Sequence, residues 1–466
     1  MSNSLKKYVG DKTFYKMLIA VSVPIMIQNG ITNFVSLLDN IMVGRLGTEA
    51  MSGVSIVNQF IFIFYVIIFG AVSGAGIFTA QYHGKGDTEG IKNTLRLKLI
   101  VNIAVTAICI AVLLIFDEAL INLFLTGESN VGDIALTLRY SKQYLKIMIV
   151  GLLPYAVSSA YSSTMRETGD TLTPMFSSLA AVVANCLLNL ILIFGLLGVP
   201  ALGVEGAAIA TVISRFLELF IVLFATHKNS KKYLYAKGIF KKFRIPLSLT
   251  RNIIGKGLPF MLNEFMWATA VTFRNQCYST RGLETVAAQN MSFTLYNLLT
   301  VVYMAFSASL SIIVGARLGA GEIDKAKDYN RKILAFSVFL SLCLSFVLCA
   351  VAPYYPKIYN TTDDARKLCT YMLFVLAAIL PFDAFAHASY STLRTGGKVI
   401  LTVLTDSAHM WIVLVPVCFI LANFTSIPIE LLFPISQAVQ MTKIIISAIF
   451  LKKSNWAVRL VGEANS

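Results

Sequence analysis

Apolar residues in this chain gather into long runs separated by short polar or basic segments. Twelve such runs fall at 16–42, 52–80, 97–116, 140–165, 172–197, 205–226, 252–279, 286–316, 333–353, 368–393, 398–422 and 428–450. Each reaches the roughly 20 residues that a helix needs to cross a hydrocarbon core. Strands of a membrane barrel would instead alternate in polarity over about 10 residues. The pattern therefore predicts an all-α polytopic membrane protein with twelve transmembrane helices. The first run is too long for a signal-peptide core and no small-residue cleavage site follows it, so it is expected to be retained.

Composition agrees with that prediction. The 466 residues are 56% hydrophobic and 14% charged, against about 25% charged in soluble proteins. That balance excludes a soluble enzyme, a disordered chain and a disulfide scaffold. The seven cysteines lack any CxxC or Cys/His spacing and read as small buried hydrophobes. No GxxxxGK[ST] phosphate loop occurs, so ATP hydrolysis within the chain is not expected, the chain is not expected to be an enzyme, and transport would draw on an ion gradient or on a partner.

A formal net charge of +15 would suggest nucleic acid in a soluble protein. Here it reads as basic loops on the cytoplasmic side, with membrane lipid and not nucleic acid as the partner. The basic positions are Lys6, Lys7, Lys12 and Lys16 before the first span; Lys85, Lys92, Arg96 and Lys98 between the second and third; and a dense stretch from Lys228 through Lys242 and Arg244 to Lys256. Arg317, Lys325, Arg394, Lys398, Lys452 and Lys453 extend the same alternation. Both termini are accordingly expected in the cytoplasm, with the chain in the cell inner (plasma) membrane. The sequons at Asn360 and Asn423 then fall in outer loops.

The two halves repeat. Pro24, Asn40, Gly47 and Glu49 recur as Pro259, Asn275, Gly282 and Glu284 at an offset of 235, which also carries Gly84-Lys-Gly86-Asp87 onto Gly319-Ala-Gly321-Glu322. Leu153-Pro154-Tyr155 recurs as Leu380-Pro381-Phe382, and Met165-Arg166 as Leu393-Arg394, at offsets of 227 and 228. Six helices per half give repeats of the same orientation, an arrangement that places a substrate site between two rocking halves. The expected domains are an N-lobe over 1–227, a basic cytoplasmic linker over 228–251 and a C-lobe over 252–466.

Several segments resemble one known family. Asp39-Asn-Ile-Met-Val-Gly-Arg-Leu-Gly47, Gln81-Tyr-His-Gly84-Lys-Gly86-Asp87, Arg166-Glu-Thr-Gly169-Asp170-Thr, Asn185-Cys-Leu-Leu-Asn189, Gly203-Val-Glu-Gly206 and Gly257-Leu-Pro259 are together similar to MATE (multidrug and toxic compound extrusion) transporters of the bacterial NorM/DinF-like branch. The resemblance implies a two-lobe exporter with a V-shaped cleft, working as a monomer on small organic cations. It would be coupled to Na⁺ or H⁺ and use no other cofactor.

Ionisable groups inside a bilayer cost at least ~2.5–3.5 kcal/mol each and are functional candidates, with a structural ion pair as the alternative. Asp39 lies late in the first span among apolar neighbours and coincides with the family's helix-1 aspartate, linked to ion or substrate coupling. Where some relatives carry a helix-5 acid as its partner, this chain has Asn189. Asp383 sits midway along the tenth span, eleven residues before Arg394, and matches the family's helix-10 aspartate; His387 follows one turn later and could share a proton with it. Glu264 lies near the midplane of the seventh span, three residues before Trp267, which occupies the position of the glutamate of sodium-linked relatives. Glu264 and Asp383 together could hold Na⁺ or share a proton.

Arg274 is the repeat counterpart of Asp39, and a buried arginine calls for a carboxylate, for which Asp383 or Glu264 is the expected partner. Arg215 with Glu218, and Asp406 with His409, have the spacing of self-neutralising pairs. Lys443 is expected to snorkel from the cytoplasmic end of the last span. Gln28, Asn29, Asn263 and Gln289 are amides in spans expected to line the cleft; they could line a site or tie helices together. A second reading is a flippase for a lipid-linked oligosaccharide or peptidoglycan precursor, whose cavity would be strongly basic.

Overall fold

The computed structural model describes residues 7–125, 133–241, 245–359 and 361–462. Lys6, Lys242, Arg244 and Asn360 lie outside the described residues.

Among the described residues, twelve long helices account for the predicted spans: α1 (Lys12–Gly44), α2 (Thr48–Lys85), α3 (Thr88–Ile115), α4 (Ile134–Glu167), α5 (Leu172–Phe194), α6 (Gly203–Lys228), α7 (Leu247–Ser279), α8 (Leu283–Gly319), α9 (Ile323–Val351), α10 (Asp363–Thr395), α11 (Val399–Asn423) and α12 (Ile429–Lys453). A nine-residue helix over Asp117–Leu125 precedes α4. Among the described residues, eleven of the long helices are apolar enough to cross a membrane by length and composition. The exception is α7, whose apolar run is broken by Asn252, Lys256, Asn263, Glu264, Arg274 and Gln276.

Local chemistry sets several boundaries. Asp87 and Asp133 cap α3 and α4 by accepting from the amides of Gly90 at 2.8 Å and Leu136 at 3.1 Å. Such side chains satisfy amides that have no intrahelical partner. The cap at Asp87 corrects one expectation: α3 begins at Thr88, so Lys92, Arg96 and Lys98 lie on the helix and not in a loop. Arg96 and Lys98 are buried, at 3% and 1% exposure. Prolines fall inside α1, α4, α7, α10 and α12 at Pro24, Pro154, Pro259, Pro381 and Pro434. Each removes a helical hydrogen bond, and the first four are pairs related by the repeat. In α11 the backbone widens to π-helix over Leu404–Ala408 and Met410–Leu414.

Packing divides the chain into two compact units. The first comprises residues 1–26, 80–86 and 262–466, and the second residues 27–79 and 87–261. Compactness thus groups residues differently from the repeat, because the start of α1 and the end of α2 pack with the later helices. The core of the second unit is built on Val57, Phe64, Leu145, Leu152 and Ala208. In the first unit one cluster gathers around Met372, Leu376, Leu380 and Phe433, and another around Leu18, Leu310, Val314 and Leu393.

Small residues let helices touch backbone to backbone. In the first unit Gly84 of α2 lies against the Ala316 carbonyl of α8, and Gly319 of α8 against the Gln81 carbonyl of α2, leaving no room for a Cβ at either. These four positions are repeat mates, so the crossing is symmetric. A second crossing recurs in different chemistry: Ser22 of α1 donates to Ser309 of α8 at 2.9 Å in the first unit, whereas the equivalent Gly257 of α7 meets Gly74 of α2 in the second.

Candidate functional site

In the second unit the polar interior is organised around Asp39 on α1. Asn189 on α5 donates from Nδ2 to Asp39 Oδ1 at 2.6 Å. One turn earlier on α5 the Asn185 amide, with its nitrogen toward the carboxylate, donates to Oδ1 and Oδ2 at 3.0 and 3.2 Å and accepts from Thr211 Oγ1 at 3.3 Å. Two residues four apart on one helix face therefore grip a single carboxylate. The donors are neutral, and among the described residues Asp39 forms no ion pair. Val35 and Leu37, two of the apolar neighbours expected for Asp39, have side chains outside the described residues.

Arg215, whose charge acts on Asp39, is itself engaged. Arg215 on α6 pairs with Glu218 at 3.1 Å, as their spacing predicts, donates to Tyr65 at 3.4 Å and lies 5.0 Å from the ring centre of Tyr155. Ser178 donates to Glu218 at 2.7 Å and accepts from Gln28 at 2.7 Å, while Arg166 reaches the Gln28 carbonyl oxygen at 3.4 Å. A continuous relay thus runs from Arg166 through Gln28, Ser178 and Glu218 to Arg215. Asn29, next to Gln28, is half-buried. Ser178, Asn185, Arg166 and Tyr155 are not candidate site residues on sequence grounds; the motifs Arg166–Thr171 and Asn185–Asn189 carry the signal for two of them.

The first unit holds its acids differently. Arg394 on α10 donates to Glu264 Oε1 on α7 at 2.9 Å. Asn263, next to Glu264, donates to Asp406 Oδ2 at 3.2 Å and accepts from Ser407 at 2.9 Å, so the π-helical part of α11 docks on α7 through this amide. Asp383 on α10 accepts from the Tyr296 hydroxyl at 2.6 Å through Oδ2, and the Lys443 ammonium stands 3.9 Å from its Oδ1. Gln289 is buried.

Several pairings in this unit differ from those expected. Glu264 and Asp383 take separate partners, each with its own cation. Arg274 meets neither of them: it donates to Gln440 at 2.8 Å and lies over the rings of Tyr278 and Phe293 at 5.9 and 5.6 Å. Asp406 bonds Asn263, and His409 contacts Thr442 at 2.7 Å, so the two do not neutralise each other. His387 packs against the rings of Tyr303 and Tyr390. Finally, Lys443 lies mid-helix at 2% exposure and does not snorkel. It is ten residues from the end of α12, about 15 Å at 1.5 Å per residue, beyond the reach of its side chain. Among the described residues, no cluster of three or more His, Cys, Asp or Glu side chains could hold a metal ion.

Outside the spans, Asp170 anchors the segment after α6. It accepts from Lys232 at 2.6 Å, from the Tyr233 hydroxyl, and from Thr173 through the amide at 3.1 Å and the hydroxyl at 2.8 Å. Burial alone would raise its pKa, but these hydrogen bonds prevail and hold the carboxyl at about 2. Arg96 secures the same segment by donating to the Ile239 carbonyl at 2.7 Å.

Comparison with known proteins gives a consistent picture. The MatE family profile matches residues 24–191 and 261–420, most of the chain. A probable multidrug resistance protein NorM of Thermotoga maritima is 23% identical over 415 residues, covering 88% of this chain and 86% of that protein. Among solved structures, a MATE crystal structure in a bent conformation superposes with a TM-score of 0.84 at 18% identity, over 97% of each chain. A MOP superfamily transporter of Pyrococcus furiosus superposes at 0.81 and 18% identity, over 97% of this chain and all of that one; a reverse polarity of its binding pocket is held to suggest a different function. At these identities the structural likenesses establish the two-lobe helical fold.

Proposed function

Because this chain belongs to the MatE family of multi-pass membrane transporters, we propose that it is a secondary active antiporter. It exports small organic cations, drugs among them, in exchange for Na⁺, H⁺ or both, by alternating access of its two lobes. The setting is the cell inner membrane with both termini cytoplasmic, and the working form is a monomer. Relatives named as probable multidrug resistance proteins support the cargo class.

The observation that carries the reading is Asp39. A carboxylate late in an apolar span, hydrogen-bonded by the neutral amides of Asn189 and Asn185 and without an ion pair among the described residues, keeps a charge that a proton or a cation can meet. A salt-bridged structural residue would not keep it. Tyr65 and Tyr155, with ring centres 4.2 Å apart, lie in the same unit and present aromatic surface of the kind that attracts organic cations. The test is efflux of a fluorescent organic cation from vesicles reconstituted with the full chain, under imposed Na⁺ and H⁺ gradients applied separately. Gradient-driven efflux is expected; folded protein giving none under either gradient would refute the reading.

One observation favours the second reading, a flippase for a lipid-linked oligosaccharide or peptidoglycan precursor. Arg274 is buried with an amide and aromatic rings for partners, and its Nε has no hydrogen-bond partner. A phosphate would complete that arginine. Loss of a lipid-linked pyrophosphate probe's translocation in Arg274→Gln, with no cation efflux in the wild type, would favour the flippase.

A further inference from the structure

The resemblance to sodium-linked transporters makes Asp383 and Glu264 the natural place to seek Na⁺ in the first unit. The chain's own cations already stand there. Arg394 is hydrogen-bonded to Glu264, and Lys443 faces the one oxygen of Asp383 that Tyr296 leaves without a donor. Lys443 cannot leave for water, since it lies at least ten residues from either end of α12. An ammonium buried so far from solvent requires a carboxylate beside it, and Asp383 is the acid within 4.0 Å. The face of the Tyr390 ring, 5.8 Å from Nζ, adds a further favourable contact.

The repeat sharpens the point. Glu218 lies ten residues before the end of α6, and Lys443 ten before the end of α12. The second unit puts an acid at that level, paired with Arg215 on its own helix. The first puts a base there, paired across to α10. The charge at this depth is reversed between the two repeats, and the reversal supplies Asp383 with a permanent counter-ion.

We propose that the Lys443 ammonium is the resident cation of the Asp383 pocket, so that Na⁺ does not bind there and sodium coupling does not run through this unit. A sodium ion ligated by Asp383 Oδ1 would lie about 4–6 Å from Nζ. At an effective dielectric constant of about 20, that repulsion weakens binding roughly a hundred- to a thousandfold. Lys443 is therefore a specificity-determining residue: it selects against Na⁺ at a carboxylate that would otherwise take it. The proposal rests on the transport reading for its significance but not for its test.

The test uses the purified full chain in detergent. Thermal unfolding and equilibrium binding of radioactive sodium are compared in NaCl and in N-methylglucamine chloride at equal ionic strength. Wild type is expected to show no sodium response that Asp383→Asn removes. Lys443→Gln should melt lower in N-methylglucamine, recover in NaCl, and bind sodium at least a hundredfold more tightly than wild type. Lys443→Gln/Asp383→Asn, which removes both charges, should lose that response. If Lys443→Gln does not accumulate folded, wild type and the double variant still decide. Sodium bound by wild type and lost in the double variant overturns the proposal; equal binding in the two upholds it. Neither readout involves transport, so a failed efflux assay and a failed sodium test are distinguishable.

Discussion

The two repeats place side chains of different charge at matching positions of similar helices. At the offset of 235, Asp39 corresponds to Arg274, Gln28 to Asn263 and Asn29 to Glu264; at 228, Arg166 corresponds to Arg394 and Ser178 to Asp406. In the second unit Arg166 meets the neutral Gln28 at 3.4 Å, and Gln28 meets the neutral Ser178. In the first unit Arg394 meets Glu264 at 2.9 Å, and Asn263 meets the acid Asp406. The helix contacts are repeated while the charges are not. Among the described residues, one unit therefore keeps a carboxylate hydrogen-bonded to amides without an ion pair, and the other pairs two of its carboxylates with arginine and lysine. A carboxylate held by amides can change its occupant cheaply, whereas one held by a buried cation must first break an ion pair. The difference assigns exchange to Asp39 and structural closure to Glu264 with Arg394.

That assignment can be broken in graded ways. The largest expected effect is on transport: Asp39→Asn should reduce gradient-driven efflux more than tenfold while leaving thermal stability within about 1 kcal/mol, because an amide can keep the contact to Asn189. Next, Glu264→Gln should destabilise the protein by about 2 kcal/mol by breaking the ion pair with the half-buried Arg394. Gln28→Ala, which removes the amide that Arg166 meets in the other unit, breaks hydrogen bonds but no ion pair and should cost about 1–2 kcal/mol. Equal losses in thermal denaturation would erase the distinction between the units.

At the symmetric crossing of α2 and α8, Gly84→Ala and Gly319→Ala should each lower stability by about 1–3 kcal/mol, since a Cβ there meets backbone. Ser22→Ala, at a crossing that already accommodates a side chain, should cost less.

The smallest effect is at Asp170. Its folded pKa of about 2 lies below the ordinary 3.8, so the ionised form is favoured by folding. The contribution is fully present above pH 3.8 and is lost as pH falls from there through 2. Partial solvent screening limits it to about 1 kcal/mol. Asp170→Asn should therefore melt below wild type at pH 7, with the gap narrowing by pH 3; a gap that widens on acidification would reverse the sign.

Most of the fold was legible because a membrane span is a long signal. The predicted runs and observed helices share their positions, and the ends differ chiefly where a capping residue such as Asp87 extends a helix beyond its apolar run. The misjudged residues are cations. Lys98 and Arg96 read as loop residues and Lys443 as a snorkelling end, because a basic residue near a run's edge is the usual mark of a boundary. Their true depth depends on partners distant in sequence: Glu167 for Lys98 and Asp383 for Lys443. Spacing also misled for Asp406 and His409. Residues three apart share a helical face only in a regular α-helix, and α11 is π-helical across Asp406. Asp39 and Asn189 could each be picked out from motifs, but that they touch is a fact of packing.

The most direct measurement is gradient-driven efflux of a fluorescent organic cation by Asp39→Asn and Asp383→Asn beside wild type, in the same reconstituted vesicles with folded protein verified. The account predicts that Asp39→Asn abolishes coupling to the imposed gradient, while Asp383→Asn, wherever it remains folded, retains it. Full coupling in Asp39→Asn together with its loss in Asp383→Asn would contradict the account.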